Sequence, residues 1–101
     1  MEIIKSKNSV PIRLTAERWF HIIENHDDLA GYYDDVLNAI EEPDYIIKGY
    51  REAFIALKEI EQGWFLAVVY KEISEEDGFI ITAYFTSKIK LEKEAVVWRT
   101  K

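Results

Sequence analysis

The run Gly78–Lys88 constrains the fold of this chain most, because it is a β-strand sequence whose two faces differ in kind. Side chains alternate across a strand with a period of two. One face carries Phe79, Ile81, Ala83 and Phe85, and the other carries Ile80, Thr82, Tyr84, Thr86 and Lys88. We predict that the first face is core and the second is half-polar and exposed. The donors of the second face suit an anion such as phosphate, although Thr and Tyr are also ordinary strand residues on a wet sheet face.

Composition limits the class of protein. A chain of 101 residues with 49% hydrophobic residues is expected to form one domain over residues 1–101. No apolar run approaches the roughly 18 to 20 residues that span a bilayer, and the first residues lack a signal-peptide core, so we expect a cytoplasmic protein with no membrane partner. The absence of cysteine excludes disulfides and thiol catalysis. A net charge of −6 argues against non-specific coating of nucleic acid but allows a local basic site.

Helical periodicity fills the first half of the chain. We predict helices at about 15–26 and 32–42, the first capped by Thr15 and the second stopped by Pro43. Apolar residues recur at i, i+3 and i+4 in both segments.

Strand patterns fill the second half. We predict strands at about 45–48, 53–60, 64–73 and 79–88, with turns at Gln62-Gly63 and Asp77-Gly78. A short edge strand is predicted at Glu2–Lys5, and Asn8–Pro11 should interrupt regular structure. The tail Leu91–Thr100 fits either a short helix or an edge strand.

This order predicts an α+β fold, with the two N-terminal helices packed on one face of a four-stranded, or five-stranded, antiparallel sheet. The other sheet face is expected to be open.

The two histidines are the first candidates for chemistry. His26 interrupts an apolar stripe at a helix C-terminus, where it fits a general acid or base, or a structural histidine favoured by the helix dipole. His21 falls on the polar side and fits a solvated residue. The two are five residues apart, which turns them away from each other and gives weak support for a metal site, so we expect no metal or other cofactor.

Basic residues on or near the sheet are candidates for binding phosphate. They are Lys48, Arg51, Lys58, Lys71 and Lys88. Each alone fits a solvated strand charge. Together with Thr82 and Tyr84, and with His26 if the first helix ends near the sheet edge, they would form a metal-free site for RNA cleavage. Such a site needs a base for the ribose 2′-OH, cations for the phosphorane and an acid for the leaving oxygen.

Several short segments in a fixed order carry a family resemblance. They are Arg13-Leu14-Thr15, the run Trp19–His26, the run Ile40–Ile46 and the run Ile81–Thr86. In this order they resemble the phage-type barnase-EndoU-colicin-RelE-like (BECR) nuclease domains.

The resemblance implies a BECR-like fold of two helices and a four-stranded antiparallel sheet. It also implies a metal-independent ribonuclease, often a toxin, with tRNA or mRNA as substrate and a small antitoxin protein as partner. The catalytic positions implied are His21, His26, Thr82 and Tyr84, completed by Arg51 or Lys71, with Lys48, Lys58, Thr86 and Lys88 binding substrate. A homodimer is a further partner hypothesis.

Two features depart from that pattern. Asn25 and Asp27-Asp28 flank the second histidine where the family often has Arg and Pro-Glu, and the chain is acidic for a ribonuclease. The alternative is therefore a non-catalytic interaction module of the same fold. It would use an open face with aromatic anchors such as Trp64, Tyr70 and Tyr84. A phosphate-dependent small-molecule enzyme is a third hypothesis.

Overall fold

The computed structural model describes residues 1–100, in which two helices pack against a seven-stranded, mostly antiparallel open sheet. The elements are β1 (Glu2–Lys5), β2 (Pro11–Leu14), α1 (Ala16–Asn25), α2 (Tyr33–Glu41), β3 (Tyr45–Lys48), β4 (Phe54–Glu61), β5 (Trp64–Ser74), β6 (Asp77–Thr86) and β7 (Val96–Arg99). Single 3₁₀ turns occupy Asp27–Leu29 and Leu91–Lys93. The strand order is β1-β2-β6-β5-β4-β3-β7, and β2 runs parallel to β6.

Both helices cover one face of the sheet, which we call the helix face. Thr15 caps α1, because its hydroxyl accepts a hydrogen bond of 3.1 Å from the backbone N–H of Arg18. The core beneath the helices contains Ile22, Leu66 and Val68, all at most 2% exposed. The predicted α+β architecture with two helices on one sheet face is confirmed.

The predicted number of strands was wrong, because the sheet has seven strands and not four or five. The edge strand predicted at Glu2–Lys5 is present, but β2 was missed, since Pro11 reads as a breaker. A proline is compatible with the first residue of a strand, which is where Pro11 lies. The ambiguous tail contains both alternatives, a 3₁₀ turn and then β7.

A β-bulge changes which side chains of β6 are core. Val69 pairs with Thr82 while the next residue of β5, Tyr70, pairs with Ile80, so Ile81 is extra. The bulge puts Ile80 in the core with Ala83, at 1% and 0% exposed. The prediction that Ile81 faces the core and Ile80 faces outward was therefore wrong, because strict alternation holds only on one side of the bulge.

The opposite sheet face is partly covered, against the prediction of an open face. After β6 the chain crosses this back face to reach β7 at the far edge of the sheet. Ile89 and Leu91 of this crossover pack against a second cluster that contains Leu57, Phe65 and Ala67. The interaction-module hypothesis expected an open sheet face and an exposed Tyr70, and the structure has neither. Tyr70 is only 1% exposed and lies on the helix face.

The sequence analysis placed hairpin turns at Gln62-Gly63 and Asp77-Gly78, and only the first lies where it was predicted. Gly63 lies in the two-residue turn between β4 and β5 with φ of 77°. Gly78 lies inside β6, and the turn before it is formed by Glu75 and Glu76. A Cβ at Gly78 would lie 2.6 Å from the backbone carbonyl oxygen of Lys71 and 2.6 Å from Ile12 Cδ1, so glycine is required there chiefly by the close approach of the β5 backbone.

Among residues 1–100, no helix has the length and apolar character needed to cross a membrane.

Candidate functional site

The candidate site lies where α1 runs beside the part of β6 that has no strand neighbour on that side. β2 pairs with β6 only at Gly78 and Phe79, so the strand beyond Phe79 is free of β2. The guanidinium Nη1 of Arg18 on α1 lies 3.4 Å from the carbonyl oxygen of Ile81, the extra residue of the bulge. Bulges occur often beside active sites because they reorient nearby side chains. We call the space between α1 and this part of β6 the α1–β6 groove.

His26 and Tyr84 form the closest aromatic pair across this groove. Their ring centroids lie 6.0 Å apart, with 37° between the ring planes. His26 ends α1, and its backbone N–H donates to the carbonyl of Ile22 at 2.8 Å. Both side chains are half-buried, so each keeps an exposed part that solvent or a ligand can reach.

Tyr84 is held in its neutral form over a wide pH range. Burial raises the pKa of its phenol above the usual value of 10.0, and the nearby carboxylate of Glu94 raises it further. Glu94 belongs to the crossover on the back face, which therefore affects the electrostatics of the site. At neutral pH the phenol is a hydrogen-bond donor, as binding an anion requires.

His21 and Thr82 lie together in a second part of the groove. They line a cavity of about 220 Å³ with Arg18 and Asn25. The side-chain amide of Asn25 donates to the carbonyl oxygen of His21 at 2.9 Å, one turn back along α1. The structure thus brings the predicted catalytic residues together as two pairs along the α1–β6 groove, His26 with Tyr84 and His21 with Thr82.

Arg18 is the basic residue of this groove, and the sequence analysis did not select it. It lines both the cavity with His21 and a neighbouring cavity of about 160 Å³ that also contains Arg13. Arg13 is engaged with Asp77 at 2.6 Å, whereas Arg18 forms no ion pair with a residue in the described range. The available signal was helical spacing, since Arg18, His21 and Asn25 recur at i, i+3 and i+7 and so share a helix face.

The predicted cations Arg51, Lys71 and Lys48 do not join this groove. Lys71 pairs with Phe79 whereas Tyr84 pairs with Ala67, four positions away along β5, which corresponds to about 13 Å. Arg51 lies in the turn between β3 and β4 with φ of 53°, and its guanidinium lies over the ring of Tyr50. Lys48 lies near the same turn, opposite Phe54.

The remaining predicted substrate-binding residues lie in two other places. Lys58 on β4 donates to the carbonyl oxygen of Glu42 at 2.8 Å and so satisfies the C-terminal end of α2. Thr86 and Lys88 lie at the end of β6, where the hydroxyl of Thr86 accepts from the backbone N–H of Lys88 at 3.1 Å. Lys88 is exposed there and lies two residues beyond the strand.

Exposed carboxylates flank α1 at Glu17, Glu24, Asp27 and Asp28. Within residues 1–100, no three side chains of the metal-binding types are grouped closely enough to hold a metal ion. The functional groups of the α1–β6 groove are imidazole, phenol, hydroxyl and guanidinium.

Comparison with protein families, curated proteins and solved structures finds no significant match to this chain.

Proposed function

We propose that the protein is a metal-independent endoribonuclease of toxin type, with its site in the α1–β6 groove. The observation that carries the proposal is the adjacency of His26 and Tyr84, at 6.0 Å between ring centroids, next to a cavity lined by Arg18, His21 and Thr82. The order of segments that resembles BECR nuclease domains supports the same function. The proposal places Arg18 where the sequence suggested Arg51 or Lys71.

Each group in the groove suits one part of the cleavage reaction. The imidazole of His26 accepts the proton of the ribose 2′-OH as that oxygen attacks phosphorus. The guanidinium of Arg18 binds the phosphate oxygens, and the neutral phenol of Tyr84 donates to the oxygen on which charge develops. His21 donates a proton to the departing 5′-oxygen, which leaves a 2′,3′-cyclic phosphate and a 5′-hydroxyl.

The test is incubation of the purified protein with total RNA in EDTA, with His26→Ala as the matched variant. We expect discrete fragments that end in cyclic phosphate, and a loss of at least about 100-fold in the variant. Cleavage by His26→Ala at the wild-type rate would disprove the assignment of the base. Absence of cleavage of both tRNA and mRNA by the wild-type protein would disprove the nuclease proposal.

A second candidate function is a non-catalytic interaction module, and one specific observation favours it. The rings of Trp64 and Phe85 stack with centroids 5.8 Å apart, and Tyr32 meets Phe85 edge-on at 5.0 Å. Trp64 and Tyr32 are each 39% exposed, and such rings are common anchors in interfaces. In this alternative a small partner protein, which the toxin hypothesis also expects, would bind the exposed rings, and the wild-type protein would leave RNA intact.

A further inference from the structure

A second cavity lies on the helix face at the end of the strands away from Tyr84. Its volume is about 320 Å³, close to the lower limit of about 300 Å³ for small-molecule sites. Lys48, Phe54 and Tyr70 form its floor, because Phe54 pairs with Lys48 on one side and with Tyr70 on the other. Three neighbouring strands therefore position the floor. Lys7 and Asn8 of the loop between β1 and β2 also line it.

Aromatic rings form much of the lining of this cavity. The rings of Phe54 and Tyr70 lie 5.6 Å apart at 35°, and Trp98 lines the cavity from β7. Tyr70 is 1% exposed, so its ring is fixed by the core. The half-buried rings of Phe54 and Trp98 keep an exposed part, which favours a ligand with a planar ring through stacking and edge contacts.

The charged groups that line the cavity are both cations. They are the ammonium groups of Lys7 and Lys48, and the lining contains no carboxylate. Lys48 is exposed and makes no ion pair within the described part of the chain. Lys7 Nζ lies 5.2 Å from the centre of the Trp98 ring. It also lies 3.4 Å from Glu42 Oε2, but Glu42 does not line the cavity. In a chain of net charge −6, this lining favours an anion.

The loop that carries Lys7 is fixed on both sides of that residue. The hydroxyl of Ser6 donates to Glu72 Oε2 at 2.5 Å, and the amide of Asn8 donates to Glu72 Oε1 at 3.0 Å. Ser6 is buried, and its hydroxyl also accepts from the backbone N–H of Val10. Because one carboxylate holds the loop at two points, the backbone of Lys7 is fixed before a ligand arrives, which lowers the entropic cost of binding.

We propose that this cavity binds an aromatic anion of the nucleoside monophosphate class. The planar base lies against Phe54 and Trp98, and the phosphate pairs with Lys48 and Lys7. The proposal is independent of ribonuclease activity, because it uses none of the residues of the α1–β6 groove.

The test is titration of the full chain with adenosine 5′-monophosphate, followed through the indole N–H resonances of the three tryptophans. Trp98→Phe assigns the resonance of Trp98. Trp19 packs against Tyr33 and Trp64 against Phe85, so their resonances are internal controls. Adenosine and inorganic phosphate are titrated separately. Lys48→Ala removes one cation of the cavity, and Lys90→Ala removes an exposed lysine elsewhere as the matched control.

We expect a saturable shift of the Trp98 resonance with adenosine 5′-monophosphate, and weaker binding of adenosine and of phosphate. Lys48→Ala should weaken binding about tenfold, as loss of one charge-assisted contact predicts, and Lys90→Ala should leave it unchanged. Any of three results would overturn the proposal: no saturable shift of Trp98, equal affinity for adenosine and its monophosphate, or equal weakening by Lys90→Ala. A shift confined to Trp19 or Trp64 would place binding elsewhere and would also overturn it.

Discussion

The imidazole ring of His26 and the phenol ring of Tyr84 lie 6.0 Å apart, one at the end of α1 and the other on β6. These two residues are distant in sequence, so only the folded chain brings them together. The pair joins a group that can accept a proton to a group that remains a donor at neutral pH, because burial and Glu94 raise the pKa of Tyr84.

Tyr84→Phe should lower RNA cleavage about 100-fold or more, because it removes a donor to the developing charge and keeps the ring. We expect the loss in kcat with little change in KM, measured on a defined oligonucleotide. The midpoint of urea unfolding should change little, since the half-buried ring stays in place. A fall in stability that matched the fall in rate would assign Tyr84 a structural role.

The pH dependence of cleavage provides a second check on Tyr84. A phenol whose pKa lies above 10.0 stays protonated as pH rises from 7 toward that value. Any alkaline decline of the rate below about pH 10, the value for an unperturbed phenol, should therefore arise from groups other than Tyr84 and should persist in Tyr84→Phe. An alkaline decline near pH 8 that Tyr84→Phe abolishes would contradict this assignment.

Arg18→Ala should lower kcat/KM by about 10- to 100-fold, as expected when a phosphate loses its charge-assisted bond. The cap of α1 remains, because Thr15 accepts from the backbone N–H of residue 18 and not from its side chain. Lys71→Ala removes the same charge from β5, four positions or about 13 Å along the strand from the partner of Tyr84, and is the comparison variant because Lys71 lines neither cavity of Arg18. Equal losses in the two variants would show a general effect of charge and would contradict the assignment of Arg18.

Gly78→Ala should destabilise the protein by about 1–3 kcal/mol, because the new methyl group has no space beside Ile12 and the carbonyl oxygen of Lys71. Gly31→Ala is the control, since its Cβ meets nothing within 4 Å. It should change the free energy of unfolding by less than about 1 kcal/mol. Urea unfolding of both variants measures the difference, and equal stability would contradict the close approach of the β5 backbone to Gly78.

Tyr70 should make the folded state less stable in alkali. Burial raises the pKa of its phenol well above 10.0, and Glu72 adds to the effect. Above about pH 10 the phenol of Tyr70 therefore keeps its proton in the folded state and loses it in the unfolded state. The free energy of unfolding is unaffected below that pH and declines above it, by up to about 1.4 kcal/mol per pH unit. Urea unfolding at pH 8 and pH 10.5 should show a smaller decline in Tyr70→Phe than in the wild type. An equal decline would contradict the assignment to Tyr70.

The elements with a regular local pattern were predictable from sequence. Both helices and strands β3 to β6 appear within two residues of the predicted bounds, because periodicity and turn residues such as Gly63 act locally. The pair of His26 with Tyr84 was also expected, provided that the first helix ended near the sheet edge.

The features that sequence did not predict depend on distant partners. β7 is four residues long and pairs with β3, far away in sequence. β2 is equally short, begins at a proline, and pairs with the distant β6 as well as with the neighbouring β1. The bulge at Ile81 has no local signature, because the strand sequence alternates through it. Arg18 was missed for a related reason, since its role depends on which face of α1 meets β6.

The parallel pairing of β2 with β6 also affects how the chain folds. Residues 15–76, more than half of the chain, lie between these strands, so their contact has a large loop-closure cost and raises the contact order, which slows folding. During synthesis, β2 cannot pair with β6 until β6 has left the ribosome. The α1–β6 groove likewise forms only then, because β6 supplies one of its walls. A nascent chain that ends before Asp77 therefore lacks this groove, and the proposed ribonuclease site is completed only late in translation.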